Sequence, residues 1–384
     1  MSTAQQAPRD FIPPLHPPTR YLFGPGPTMV DPRVYQALAK PIVGHLDPYF
    51  IQVMQDVQEL LKSVYGAKNG STLVISGTGS AGMEAAVANF VDPGAKFAVF
   101  ANGYFSDRLT DMAKRNGANV VRFEKAWGET FSPAEAADFI HREKPATVGY
   151  VHAETSTGAL QSGHAICNAA HNAGALVIAD CVTSLGGLPV EFDETGIDIA
   201  YSCTQKGLSC PPGVSPLALS QRAMDWLRAR TTLSRSWYLD LKLIHDYSTI
   251  SHRYHHTAPI SMFYALREAL LVIAEEGIEN RWERHRRAHK VFVNGIEAMG
   301  LGMYVPAMHR IPTLNTVCVP KGVDDAKVRK LLLEGPGIEI AGGFGPLEGK
   351  VFRIGLMGPL ATEENVRFFL SEFKKVLKSE GHSM

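Results

Sequence analysis

Ala179-Asp180-Cys181-Val182-Thr183-Ser184 and, further on, Ser202-Cys203-Thr204-Gln205-Lys206-Gly207 are the stretches that decide the fold. Each follows an apolar run, Gly174-Ala175-Leu176-Val177-Ile178 in the first case and Ile197-Asp198-Ile199-Ala200-Tyr201 in the second. Both runs read as buried parallel strands. Residues just past the carboxyl ends of such strands line the ligand crevice of an open α/β sheet. An acid, Asp180, and an amine, Lys206, are therefore expected to face one crevice from two neighbouring strands.

The pattern around them supports that placement. Strands are predicted at Leu73–Ile75, Phe97–Phe100, Asn119–Phe123 and Thr147–Val151. They alternate with helices predicted at Ala81–Phe90, Arg108–Arg115, Pro133–His141 and His164–Asn172. Repeated βα units give the α/β class, a mostly parallel sheet sandwiched by helices. Upstream, Asp47-Pro48 reads as an N-cap with proline in the first turn, and Gly66 stops the helix carrying Phe50, Met54, Val57, Leu61 and Val64. Residues 1–20 are rich in proline and read as an extended arm, and residues 21–257 as a large domain. Residues 258–384 read as a linking helix and a smaller α+β domain. In that part, helix runs from Met262 through a break at Gly277 to about Met299. Strand-like Thr316–Val319 and Val351–Ile354 alternate with helical Asp325–Leu333 and Glu363–Leu377.

Composition excludes several classes. The 384 residues carry 38 basic and 38 acidic side chains, so the net charge is zero and no nucleic-acid partner is expected. Arg281–Lys290 is locally basic and reads as a solvated helix face. Five cysteines without a CxxC pair argue for a reducing compartment and against a zinc site. Without an apolar leader or a membrane-length run, a cytoplasmic enzyme with no membrane partner is the expectation.

Ser76-Gly77-Thr78-Gly79-Ser80-Ala81-Gly82 follows a strand and opens a helix, so its free N–H groups and dipole favour a phosphate. The stretch also matches GxGxxG, the basis of a competing NAD-dependent oxidoreductase reading. A dinucleotide fold wants an acid at the end of the next strand, and Phe100-Ala101-Asn102-Gly103-Tyr104-Phe105 supplies none. Phe105 can stack on a planar ring there. His152 and Glu154 lack a further ligand at useful spacing, as do His255 and His256, so no metal is expected. Arg353 stands in an apolar strand, where a guanidinium is either in an internal ion pair or holding a substrate carboxylate. Amine, acid, phosphate site and stacking aromatic together suit pyridoxal 5′-phosphate. A lysine holds its aldehyde as a Schiff base, and a carboxylate keeps its ring nitrogen protonated.

In this order, Gly24-Pro25-Gly26-Pro27, Ser76-Gly77-Thr78-Gly79, His152–Gly158, Asp180–Gly187, Ser202–Gly207, Tyr254-His255-His256-Thr257 and Arg353-Ile354-Gly355 resemble the alanine–glyoxylate and serine–glyoxylate aminotransferases. These are class V aminotransferases, a branch of the fold-type I pyridoxal-phosphate enzymes, and the resemblance runs from about residue 20 to 375. It implies that Lys206 binds the cofactor and shuttles the proton of the substrate Cα, and that Asp180 pairs with the ring nitrogen. Val182 and Phe105 would cover the two ring faces, where many relatives use tryptophan in place of Phe105. Thr78, Gly79, Ser80 and Gln205 would hold the phosphate, with histidine common in relatives at the position of Ser80. Thr155 would bond the ring hydroxyl region, while Gly26 and Arg353 would meet the substrate, Arg353 at its carboxylate. Tyr254 and Thr257 would reach the phosphate of a second subunit, implying a homodimer with shared sites.

Ping-pong transamination of small amino and keto acids follows from the same resemblance. With a single arginine placed for a carboxylate, alanine or serine is favoured over a dicarboxylic donor, and glyoxylate is the acceptor. Serine–pyruvate or hydroxykynurenine transamination stays open within the family. A cysteine desulfurase is disfavoured, because those enzymes place histidine before the lysine where this chain has Gln205, and because Cys318 lies in an apolar strand.

Overall fold

A computed structural model of the chain describes residues 13–382. Residues 1–12 of the expected N-terminal arm lie outside the described residues. Seven strands form the main sheet: β1 (Ser71–Ser76), β2 (Lys96–Ala101), β3 (Asn119–Glu124), β4 (Thr147–Val151), β5 (Leu176–Asp180), β6 (Ile199–Tyr201) and β7 (Val214–Leu219). Their spatial order is β1-β7-β6-β5-β4-β2-β3. Every neighbouring pair is parallel except those of β7, which runs antiparallel to β1 and to β6.

Side chains of alternate residues in these strands enter two separate cores, the period-two pattern of a sheet buried on both faces. Ala98, Phe100, Val148 and Val177 join one core with α1 (Pro48–Tyr65), α4 (Pro133–Glu143), α5 (His164–Asn172) and α7 (Ile260–Glu276). Phe97, Val99 and Ile178 join the other with α2 (Gly79–Phe90), α3 (Tyr104–Arg115) and α6 (Gln221–Ala229). The start of α1 follows from its sequence: Asp47 accepts the N–H of Tyr49, Pro48 needs no partner there, and Gly66 ends the helix at φ +72°.

A second sheet of β8 (Leu314–Cys318), β9 (Ala341–Gly342) and β10 (Val351–Gly355) is antiparallel in the order β8-β10-β9. Helices α8 (Ile278–Ala298), α9 (Asp325–Glu334) and α10 (Glu363–Ser379) cover it around a core that includes Phe292, Val328, Phe352 and Phe369. Phe23 belongs to this core too, and Tyr21–Leu22 pairs with Ile338–Glu339. The chain therefore crosses to the C-terminal sheet before it builds the large one.

One strand went unmarked in the sequence, and one expectation needs correction. Strand β7 carries Pro216, which lacks the N–H that a central strand needs. The structure resolves this locally. The Pro216 carbonyl accepts from Ser202 N, and the Ser215 hydroxyl donates to Ser202 O at 2.5 Å in place of the missing N–H. The basic run on α8 is not wholly a solvated face. Arg281 is 3 % exposed and donates to Gly186 O (3.0 Å), Gly207 O (2.8 Å) and Ser209 Oγ (3.1 Å), with Glu276 at 2.9 Å. It ties together the two loops that leave β5 and β6.

Candidate active site

Those two loops carry the acid and the amine. Asp180 is the last residue of β5 and pairs in register with Tyr201, the last of β6. Its Oδ1 accepts Val182 N–H at 2.9 Å and its Oδ2 accepts the Tyr201 hydroxyl at 3.0 Å. Burial pushes its carboxyl up to about 6. Lys206 lies five residues past β6. Its Nζ donates to Pro25 O at 2.7 Å and stands 3.4 Å from the hydroxyls of both Thr155 and Thr183, which bond each other. Burial lowers this amine to about 8, toward the range in which it is a nucleophile at neutral pH. Gly26, at φ +111°, lets the backbone pass so close that an added Cβ would lie 3.2 Å from Lys206 Cγ.

Helix α2 opens beside the lysine loop. Its N-cap residue Thr78 makes no side-chain capping bond; the N–H groups of Ala81 and Gly82 donate to the Thr78 carbonyl, which leaves those of Gly79 and Ser80 for a ligand. Gly79 is pressed against the opposite loop: a Cβ there would stand 3.0 Å from Cys203 Cβ and 3.3 Å from Val182 Cγ2. Ser80 Oγ accepts from Arg108 Nη1 at 3.1 Å. The buried Oε1 of Gln205 has no partner among the described residues, so this carboxamide is free to turn toward a ligand.

Phe105 sits in the first turn of α3, its ring centre 6.0 Å from Lys206 Nζ. Beneath it lies Glu154, fully buried, accepting from Phe105 N (3.2 Å), Ser156 N (3.0 Å) and Ser156 Oγ (2.6 Å). Burial pushes the Glu154 carboxyl up to about 7. From the C-terminal sheet, Arg353 on β10 is 3 % exposed and donates to Gly342 O at 2.7 Å and Thr155 O at 3.3 Å. Burial lowers its guanidinium to about 10. It forms no ion pair among the described residues, so the internal salt-bridge alternative finds no support.

Gly26, Phe105, Thr155, Gln205, Lys206 and Arg353 line one cavity of about 240 Å³. Asp180, Val182, Thr78, Gly79 and Ser80 do not line it; the Asp180 carboxylate is close enough to act on the charge of Lys206, and Gly79 packs against Val182 and Cys203. Tyr254 and Thr257 are exposed and line no part of that cavity. The histidines between them serve packing: His255 stacks on Trp237 at 4.5 Å and His256 Nε2 meets Ser76 Oγ at 2.6 Å. Among the described residues no group of three His, Cys, Asp or Glu side chains could hold a metal ion. No helix among them is long and apolar enough to cross a membrane.

Thr183, Tyr201, Arg281 and Phe344 were not singled out by the sequence. Thr183 and Tyr201 lie beside motif residues and carried a readable signal. Arg281 comes from a distant helix and carried none. Phe344 had only the glycines around it to mark it.

The cofactor such a site serves is given by comparison with known proteins. Residues 20–368 match the family described as Aminotransferase class-V, and the chain belongs to it. An alanine–glyoxylate aminotransferase of Callithrix jacchus is 39 % identical over 376 residues, 97 % of this chain and 91 % of that protein. The (S)-ureidoglycine–glyoxylate transaminase of Bacillus subtilis is 39 % identical over 378 residues, 94 % of this chain and 91 % of its own. The crystal structure of an alanine–glyoxylate aminotransferase from Nostoc sp. superposes with a TM-score of 0.93 at 46 % identity, covering 95 % of this chain and 97 % of that one. The α/β fold is thus that of the class V aminotransferases, and the cofactor is pyridoxal phosphate. The residues present fit it: a buried lysine and an orphaned carboxamide line one cavity, with a buried carboxylate near the lysine and an uncapped helix start packed against the loops that carry both.

Proposed function

We propose that this enzyme transfers the amino group of a small amino acid, alanine or serine, to glyoxylate. The observation that carries this reading is that Lys206 and Arg353 face the same cavity of about 240 Å³, with Arg353 the one guanidinium lining it among the described residues. One arginine accommodates one carboxylate, which favours monocarboxylic donors and a small keto acid. The names of the relatives support glyoxylate as the acceptor.

Bound pyridoxal phosphate supplies an electron sink for the charge left when the substrate Cα loses its proton. Lys206 would anchor the cofactor, and its amine, once free, would carry the proton from the substrate Cα to C4′ of the cofactor in the first half-reaction and in the opposite direction in the second. Asp180, held by Val182 N–H and the Tyr201 hydroxyl, would keep a proton on the ring nitrogen. Val182 and Phe105 would cover the ring, Thr155 would bond its hydroxyl edge, and Thr78, Gly79, Ser80 and Gln205 would hold the phosphate. Arg353 would bind the carboxylates of donor and acceptor alike, with Gly26 leaving room beside them.

Tyr254 and Thr257 would complete the phosphate site of a second subunit. Support for this homodimer comes from a set of exposed apolar side chains, among them Trp237 (63 %), Ile250 (65 %) and Tyr254 (57 %). Large and small domains divided near residue 257, with a short N-terminal arm, would match such an assembly. Five free cysteines support a cytoplasmic, reducing location. The deciding experiment is a panel of donors (alanine, serine, (S)-ureidoglycine, aspartate, hydroxykynurenine) against glyoxylate and pyruvate, read as keto-acid formation. Highest kcat/KM with alanine or serine and glyoxylate is expected; preference for aspartate would contradict the one-arginine argument.

A further inference from the structure

The guanidinium of Arg353 has a neighbour that nothing above gives a role. Its Cζ stands 3.9 Å from the centre of the Phe344 ring. An approach in the ring plane would collide with the ring hydrogens at that distance, so the contact is with the ring face, the electron-rich side that attracts a cation. Phe344 lines the same cavity as Lys206 and Arg353 and is 37 % exposed, which puts it at the mouth. Its position is fixed from both sides. A Cβ on Gly343 would fall 1.9 Å from Leu347 O, so only glycine permits this turn. The ring also packs 5.0 Å from that of Tyr104, at the start of the helix that carries Phe105.

This arrangement limits how a ligand can meet Arg353. Of its five N–H bonds, one on Nε is used by Gly342 O and one on Nη1 by Thr155 O, while the ring covers one face. The N–H groups left over point outward in the guanidinium plane. Resting on the carboxylate-binding role proposed for Arg353, we infer that Phe344 is a positioning residue of this site: it caps the guanidinium so that a carboxylate enters edge-on, paired by two parallel bonds. The cap also keeps water off the covered face, which strengthens the charge-assisted bonds made at the edge.

The test is a double-mutant cycle in the holoenzyme, with KM and kcat for the amino donor and for glyoxylate measured in the wild type, Phe344→Ala, Arg353→Ala and the double variant. Phe344→Ala should raise both KM values together by about threefold to tenfold, with kcat changed by less than about twofold. Phe344→Tyr should restore them. In the Arg353→Ala background the Phe344→Ala change should have almost no effect, because the partner it acts through is gone. Should the truncation destabilise the turn, Phe344→Leu carries the same test, since it keeps an apolar cover but lacks the π face. Unchanged KM values in Phe344→Ala and Phe344→Leu, or the same factor with and without Arg353, would overturn the inference. A normal KM for glyoxylate in Arg353→Ala alone would instead overturn the carboxylate role of Arg353, and so separates the two failures.

Discussion

The two walls of the cavity are built differently. On one side Asp180 and the Lys206 loop hang from adjacent strands of the seven-stranded sheet, their polar atoms held by Val182 N–H, the Tyr201 hydroxyl and the Pro25 carbonyl. Arg281 then clamps the loops after β5 and β6 to each other from behind. Opposite them, Arg353 comes from the three-stranded sheet, steadied by two backbone carbonyls and one aromatic ring on a glycine-flanked turn. On the proposed roles, the wall that would move protons is crowded, and the wall that would recognise substrate is lightly held, with bonding capacity to spare. Chemistry and recognition thus rest on separate sheets, so substitutions should separate in kcat and KM.

The sharpest break should come at Asp180. Asp180→Asn keeps the shape and the contact to Val182 N–H but cannot hold a proton on a basic ring nitrogen, so kcat should fall by about a hundredfold or more while KM moves little. Near-normal turnover would remove the carboxylate from its role. Across the cavity, Arg353→Ala forfeits charge-assisted bonds worth roughly 1.5–3 kcal/mol, which should raise KM for donor and acceptor by about ten- to a hundredfold. A fall in kcat with KM intact would place Arg353 on the chemical wall instead.

A pH series on the apoprotein sharpens the same contrast. The attacking form of Lys206 is the neutral amine, and burial lowers its pKa to about 8. Below that value the rate of pyridoxal-phosphate uptake should climb about tenfold per pH unit, and above it the rate should level off. A rate still climbing at pH 10 would mean an ordinary, solvated lysine. The smallest effect is expected at the clamp. Arg281→Met leaves Gly186 O and Gly207 O buried without a donor, costing about 3 kcal/mol of stability, seen as a lower midpoint in denaturant. Turnover of the folded fraction should drop only a few-fold, and unchanged stability would show that the loops hold without it.

Much of the crowded wall was legible in the sequence, because its residues follow apolar runs whose composition announces buried strands, and a polar residue at the end of such a run has few places to go. Asp180, Lys206 and Thr78 could be placed on that ground, whereas Phe105 took its place from the resemblance. The recognition wall was harder. Arg353 was visible as a charge in an apolar strand, but Phe344 lies in a short irregular turn whose function depends on what it meets across the fold. Strand β7 was hidden by Pro216, which is tolerated only because a serine hydroxyl replaces the absent N–H. Arg281 was misread because a basic helix face looks alike from sequence whether water or two loops lie against it.

The account stands on the amine of residue 206 as the cofactor's point of attachment. Purified holoenzyme should be reduced with borohydride, digested and mapped by mass spectrometry. The phosphopyridoxyl group is predicted on the peptide containing Lys206 and on no other, and its absence from Lys206→Ala treated in the same way should follow. A label on any other lysine, or none on a yellow, active preparation, would contradict the assignment.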